Sequence, residues 1–238
     1  MNFKFLPNLI TLFNLFLGCI IVLLLIENNL KVKHVFIISV ICLILDYLDG
    51  YIARKLNAKS DIGIQLDSLA DLVSFGFVPG ILLYNMFNAA PSSSVGSISS
   101  SFIPFLGFIV TLSSAYRLAR YNTRKSSSKF FRGLPTPANS VLIYSFSIIS
   151  AEGNSFSNII LDYNILILIV TVSSILLVSN LKLLNFKFKS LKFKGNRRKF
   201  FIIFISIPSL IVFGVNAIPL ALSVYILISI LTFYKLKN

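Results

Sequence analysis

Apolar runs long enough to cross a bilayer recur from residue 7 to residue 234, and the segments between them are short. Hydrocarbon offers no partner to a backbone N–H or C=O, so such a chain has two solutions, a bundle of helices or a closed barrel. A barrel needs short segments of alternating polarity. These runs instead mix Ile, Leu, Val and Phe without alternation. With 238 residues, 56% of them hydrophobic, the chain has the length of one domain and is too apolar for water. The expected fold is all-α, a polytopic helical bundle of about eight transmembrane helices.

The spacing places the spans near residues 7–26, 34–56, 62–88, 102–121, 134–151, 158–180, 200–214 and 217–234. The seventh is short, contains Pro208, and is followed by a turn at Val215-Asn216-Ala217, so the last two read as a tilted or re-entrant hairpin. Pro91 to Ser101 is Ser-rich and reads as a flexible loop. The expected division is a helical core over 1–180, a basic loop over 181–199 and a C-terminal hairpin over 200–238. The first run continues well past Cys19, so it reads as a retained span and not as a cleaved leader. Cys19 and Cys42 both fall inside spans and read as small apolar residues. His34, the only histidine, reads as an interfacial residue.

Charge sets the orientation. The net charge is +14, and 20 of the 22 basic residues fall in alternate connections, the largest group running from Lys182 to Lys199. That is the signature of cytoplasmic loops, and it argues against nucleic acid as the partner. The reading is an integral protein of the cell's inner membrane with both termini inside and anionic lipid head groups against its basic segments.

Four of the eight acidic residues lie in the string D-Y-L-D-G-Y-I-A-R followed, eight residues on, by G-I-Q-L-D-S-L-A-D. Asp46, Asp49, Gly50, Ala53 and Arg54 share one face of a helix at i, i+3, i+4, i+7 and i+8, and Gly63, Asp67 and Asp71 share a face of the next. Carboxylates at membrane depth mark ion sites, proton paths or substrate pockets. Four of them close together cannot all stay ionised without counter-charge, so either some are protonated or divalent cations bind. An all-oxygen set suits Mg²⁺ or Mn²⁺. Gly50 and Ala53 leave the helix surface open, Arg54 supplies a fork for phosphate oxygens, Gly63 keeps the facing helix clear, and Ser60 or Asp61 fits its N-cap. The pattern suits a pyrophosphate held at a helix N-terminus. Solvated aspartates and close helix packing would account for single positions, not for the whole set on two facing surfaces.

The string resembles the complete signature of the CDP-alcohol phosphatidyltransferase family. The resemblance implies two divalent cations held by Asp46, Asp49, Asp67 and Asp71, with Asp71 also the general base, and contacts from Gly50, Arg54 and Ser60 to the CDP group. Asn8 and Thr11, with Asn14 and Gly18, form a polar and small face on the first span that suits a wall of the nucleotide pocket. Arg117 and Arg120 lie at i and i+3 and could grip a carboxylate or phosphate of the acceptor, or could serve as positive-inside anchors. Together with Gly133-Leu134-Pro135-Thr136-Pro137, Pro7-Asn8 and Ser74-Phe75-Gly76, they resemble the branch of the family that uses serine. The resemblance therefore implies CDP-diacylglycerol and L-serine as substrates, an active site at the cytoplasmic end of helices 1–3, and a homodimer. Glycerol 3-phosphate is the alternative acceptor, and a cation transporter is the alternative from another class.

Overall fold

The computed structural model describes residues 5–27, 32–91, 102–123, 131–184 and 197–235. Helix α1 (Leu6–Ile26) and helix α2 (Val32–Lys55) lead into α3 (Asp61–Asp71), which continues through a π-helical segment, Leu72–Phe77, into α4 (Val78–Ala89). A short 3₁₀ turn at Ile103–Gly107 opens α5 (Phe108–Asn122), followed by strand β1 (Phe131–Arg132), α6 (Thr136–Ser150), α7 (Ser155–Ile160) and α8 (Tyr163–Val178). Strand β2 (Lys182–Leu183), α9 (Arg197–Phe213), a 3₁₀ turn at Gly214–Ala217 and α10 (Ile218–Lys235) complete the chain. The all-α expectation holds apart from one two-residue antiparallel pairing of β1 with β2, in which Phe131 faces Leu183 and Arg132 faces Lys182.

Among the described residues, four helical stretches are long and apolar enough to cross a bilayer: Leu6–Ile26, Val32–Lys55, Asp61–Ala89 and Arg198–Phe233. Tyr163–Val178 is apolar but shorter. The expected span over 158–180 is not one helix. Asp162 breaks it, because its carboxylate accepts from the backbone N–H groups of Asn164 and Ile165 and so caps α8 as a new start. The C-terminal pair turns at Gly214, whose φ is +57°, and α9 and α10 then pack against each other. The loop expected over Pro91 to Ser101 lies, after Pro91, outside the described residues.

Burial follows the chemistry of each helix. On α1 a single stripe is buried, Pro7, Thr11, Asn14, Gly18, Ile21 and Leu25, while Leu9, Leu12, Phe13 and Phe16 are exposed. That is one packed face and one lipid-facing surface, with the polar residues on the packed face. Helix α4 is central: Val78 to Leu83 are all buried, so it is covered on every side. At Gly80 an added Cβ would overlap Thr111 Oγ1 and touch Phe108, which is how α5 comes so close. Thr111 then donates to the Gly76 carbonyl in the π segment at 2.9 Å, supplying a partner where the i→i−4 ladder is interrupted.

The basic end of the bundle is held by a clasp. The last carbonyls of α8 have no partner within their own helix. Arg117 donates to the carbonyls of Leu177 (3.1 Å) and Arg132 (3.0 Å), and Arg120 donates to the carbonyl of Val178 (2.9 Å) and to Asn180 Oδ1 (2.6 Å). Gly133 N–H reaches Leu181 O at 2.8 Å, and Leu134 N–H reaches Leu176 O at 2.9 Å. Cationic side chains at a helix C-terminus also meet the favourable end of its dipole. Gly133 is required twice over. Its φ is +72°, and a Cβ there would lie 2.8 Å from Arg117 Nη1, Leu177 O and Ser179 O.

Gly153 supplies the control, with a φ of +67° and nothing within 4 Å of an added Cβ. Gly153→Ala should therefore cost only the backbone term, on the order of 1 kcal/mol, and Gly133→Ala clearly more. Thermal unfolding of the detergent-solubilised protein checks this: equal shifts for the two variants would mean that the clasp contributes nothing to stability.

Candidate active site

The turn between α2 and α3 sets the geometry of the carboxylates. Helix α2 ends with Asn57 in the left-handed region (φ 49°), Ala58 N–H bonded to Ala53 O at 2.9 Å and Asn57 N–H to Arg54 O at 3.4 Å. This is a Schellman-type stop with Asn in place of the usual Gly. Three residues later Ser60 caps α3, its hydroxyl oxygen accepting from Gly63 N–H at 3.0 Å. Of the two caps the sequence allowed, Ser60 is the one formed. The chain thus reverses in five residues and lays the Asp67 face of α3 against the Asp49 face of α2.

The result is a compact acidic centre. Asp46, Asp49 and Asp67 each bring a carboxylate oxygen within 4.8 Å of the other two. Asp71 lies one turn beyond Asp67 on α3. Its Oδ1 is buried without a partner. Asp49 is 4% exposed and accepts from Thr11 Oγ1 at 2.6 Å, while Thr11 also reaches Pro7 O at 3.0 Å. Buried carboxylates crowded this closely need positive charge among them. The described residues fit a divalent cation on two counts, the all-oxygen donor set and the orphaned Asp71 oxygen. Such a set matches hard cations such as Mg²⁺ or Mn²⁺.

Small and polar residues border this centre. Gly50 has the Arg54 guanidinium beside it, with Arg54 Nη1 3.3 Å from where a Cβ would lie, so the arginine folds back along α2. Ala53 is half-buried on the same face. At Gly63 an added Cβ would meet Asn8 Oδ1 at 3.0 Å and Ser60 Oγ at 3.1 Å. Asn8, Ser60 and Gly63 therefore make a cradle at the N-terminus of α3, where backbone N–H groups and the helix dipole favour an anion.

Three of the expected site residues have partners within the chain. Thr11, read as a nucleotide contact, holds Asp49. Arg117 and Arg120, read as acceptor contacts or as positive-inside anchors, donate to the carbonyls that end α8. The reason is that α5 packs along α8 and its last turn meets that helix's unsatisfied C-terminus. The sequence reading did not find the links between α1 and the π segment, where Ser74 Oγ donates to Asn14 Oδ1 at 3.1 Å and an added Cβ on Gly18 would lie 2.6 Å from Ser74 Oγ. Nor did it find Asn122, whose amide donates to Ser68 Oγ at 2.9 Å and to Gln65 Oε1 at 3.4 Å, tying the end of α5 to the helix that carries Asp67 and Asp71. The period of the polar residues on α1 was the available signal for the first. Nothing in spacing alone pointed to the second.

Comparison with known proteins follows this geometry. A family model described as CDP-alcohol phosphatidyltransferase matches residues 4–177. A CDP-diacylglycerol--serine O-phosphatidyltransferase of Helicobacter pylori is 30% identical over 232 residues, 94% of this chain and 89% of the relative. The Bacillus subtilis protein of the same name is 34% identical over 138 residues, 56% of this chain and 70% of the relative. An archaetidylserine synthase of Methanothermobacter thermautotrophicus is 34% identical over 149 residues, 61% of this chain and 58% of the relative. The family match begins before α1 and runs almost to the end of α8, so it takes in the carboxylates, the cradle and both arginines of the clasp, and the chain belongs to the CDP-alcohol phosphatidyltransferase family.

Proposed function

We propose that the protein transfers the phosphatidyl group of CDP-diacylglycerol to the hydroxyl of L-serine, giving phosphatidylserine and CMP. One observation carries the reading: Asp46, Asp49 and Asp67 converge from two helices, with Asp71 one turn beyond Asp67, in a chain similar over nearly its whole length to a serine-using transferase. Asp46, Asp49, Asp67 and Asp71 are the residues that would hold two divalent cations, Mg²⁺ or Mn²⁺. Such cations, when bound, neutralise the charge of the pyrophosphate and of the departing phosphate.

The chain's own residues supply the remainder. Asn8, Ser60 and Gly63 receive the nucleotide side of the donor at the α3 N-terminus, and the Arg54 fork meets phosphate oxygens. Thr11 keeps Asp49 in one orientation. Asp71 accepts the proton of the serine hydroxyl, the serine oxygen forms a bond to the lipid-side phosphorus, and the bond from that phosphorus to the CMP oxygen breaks, its electron pair leaving with CMP. Arg117 and Arg120 enter as positioning residues that hold the walls of the acceptor side through α8. The carboxylates lie at the end of the bundle where Arg54, Lys55, Arg117, Arg120 and Arg132 are found, which supports a cytoplasmic active site in the cell's inner membrane. A homodimer, implied by the family resemblance, belongs to the same reading.

The test is CMP release by the purified protein with CDP-diacylglycerol and Mg²⁺ or Mn²⁺, offering serine, glycerol 3-phosphate or inositol phosphate in turn. Serine is expected to support turnover, and turnover with glycerol 3-phosphate alone would replace the acceptor. Asp67→Asn and Asp71→Asn should each lower CMP release by about a hundred-fold or more, with insertion and thermal unfolding retained. Near-normal turnover in either variant would remove that residue from the machinery. Arg54→Lys keeps the charge but loses the fork, and should raise the KM for CDP-diacylglycerol roughly ten-fold with the serine KM little changed. The opposite pattern would move Arg54 to the acceptor.

A further inference from the structure

Away from the carboxylates, α6 and the α9–α10 pair do not close on each other. Between them lies a cavity of about 470 Å³, open to one side and lined by Ala138 and Val141 of α6, Ile202 and Leu210 of α9, and Ala221 and Leu222 of α10. Tyr225 also borders it, but its hydroxyl is already spent on the Leu184 carbonyl at 2.9 Å. We propose that this cavity holds an acyl chain of an anionic phospholipid, bound at a site separate from the active centre.

Three observations choose this occupant. The walls are apolar, so water or a polar head group inside would forfeit its hydrogen bonds. The cavity lies between α6 and the apolar α9–α10 pair, a stretch long enough to cross a bilayer, where hydrocarbon chains are the surrounding solvent. Charge then selects the head group. Ile202, Ser206 and Leu210 line the cavity at i, i+4 and i+8 on α9, and one turn earlier on the same stripe stands Arg198, exposed. Lys182, also exposed, stands two residues before Leu184, another lining residue.

A phosphate at the mouth of the cavity would therefore meet two cations while its chain occupied the space behind. No acidic residue follows Asp162 anywhere in the sequence, so nothing on α8, α9 or α10 opposes an anion there. A juxtamembrane cation favours an anionic lipid through Coulomb attraction alone, and a chain-sized cavity adds a fixed position to it.

The site is tested by native mass spectrometry of the full-length protein, delipidated and then offered dioleoyl phosphatidylglycerol or dioleoyl phosphatidylcholine. The wild type should retain one phosphatidylglycerol under conditions that strip phosphatidylcholine. Ala138→Phe and Ala221→Phe, which fill the cavity from opposite walls, should each lose that retained lipid while still releasing CMP. Lys182→Gln combined with Arg198→Gln leaves the walls intact and should lower the preference for phosphatidylglycerol by roughly ten-fold. This double variant decides the question even where a phenylalanine variant fails to fold. Equal retention of the two lipids by the wild type, an unchanged preference in the double variant, or undiminished retention in a folded phenylalanine variant would overturn the proposal.

Discussion

Mutual repulsion among carboxylates held in an apolar bundle is the constraint around which this molecule is built. Oxygens of Asp46, Asp49 and Asp67 lie within 4.8 Å of one another; even at an effective dielectric constant of about 20, a pair of charges at that separation opposes itself by roughly 3 kcal/mol. Helices α2 and α3 would splay if nothing else held them. Two of the restraints are local, the Asn57 stop and the Ser60 cap, and a third, Thr11 bonded to Asp49, ties α2 to α1. Behind them, Asn14 and Ser74 link α1 to the π segment, and Asn122 links α5 to α3. Each of these contacts fixes backbone next to a carboxylate. The centre is thereby preorganised for cations, since the repulsion is already present before they arrive and is relieved by binding.

The clasp at the far side of the site addresses a different cost. Helix α8 ends inside the basic face of the bundle with its terminal carbonyls unsatisfied. Arg117 and Arg120 satisfy them, and in doing so fix the distance between α5, α6 and α8. Since Asn122 lies only two residues beyond Arg120, the same turn of α5 that ends α8 also bonds α3. Substrate-side geometry and helix termination are thus mechanically joined. A change to either arginine is transmitted to the helix that carries Asp67 and Asp71.

How much of this was legible in the sequence follows from which forces are local. The helix period places Asp46 with Asp49 and Asp67 with Asp71 on single faces, and the spacing of Gly50, Ala53, Arg54 and Gly63 repeats the same geometry, so the acidic centre could be drawn from residue numbers. Membrane spans were legible for a similar reason, because hydrocarbon demands long helices. Asp162 was misread within the span over 158–180, where a capping carboxylate ended one helix and began another. The destination of Arg117 and Arg120 was not legible either. A guanidinium suits a substrate carboxylate and a helix-terminal carbonyl equally well, and only the packing of α5 on α8 decides between them. The π segment and the cavity beside α6 arise from the fit of whole helices, which no short motif encodes.

These elements sort the two ends of a lipid-linked donor. An anionic nucleotide group is attracted to the N-terminus of α3 and to Arg54, both at the water-facing end of the acidic centre, whereas acyl chains have no affinity for that cradle and find apolar helix faces such as those of α1. The reacting phosphorus must then lie between, at the depth of the carboxylates. Asp71 lies one turn beyond Asp67 along α3 and carries the oxygen without a partner. In the proposed reaction a proton acceptor is most effective where water does not compete for it, and the buried, unpartnered Oδ1 of Asp71 suits that role.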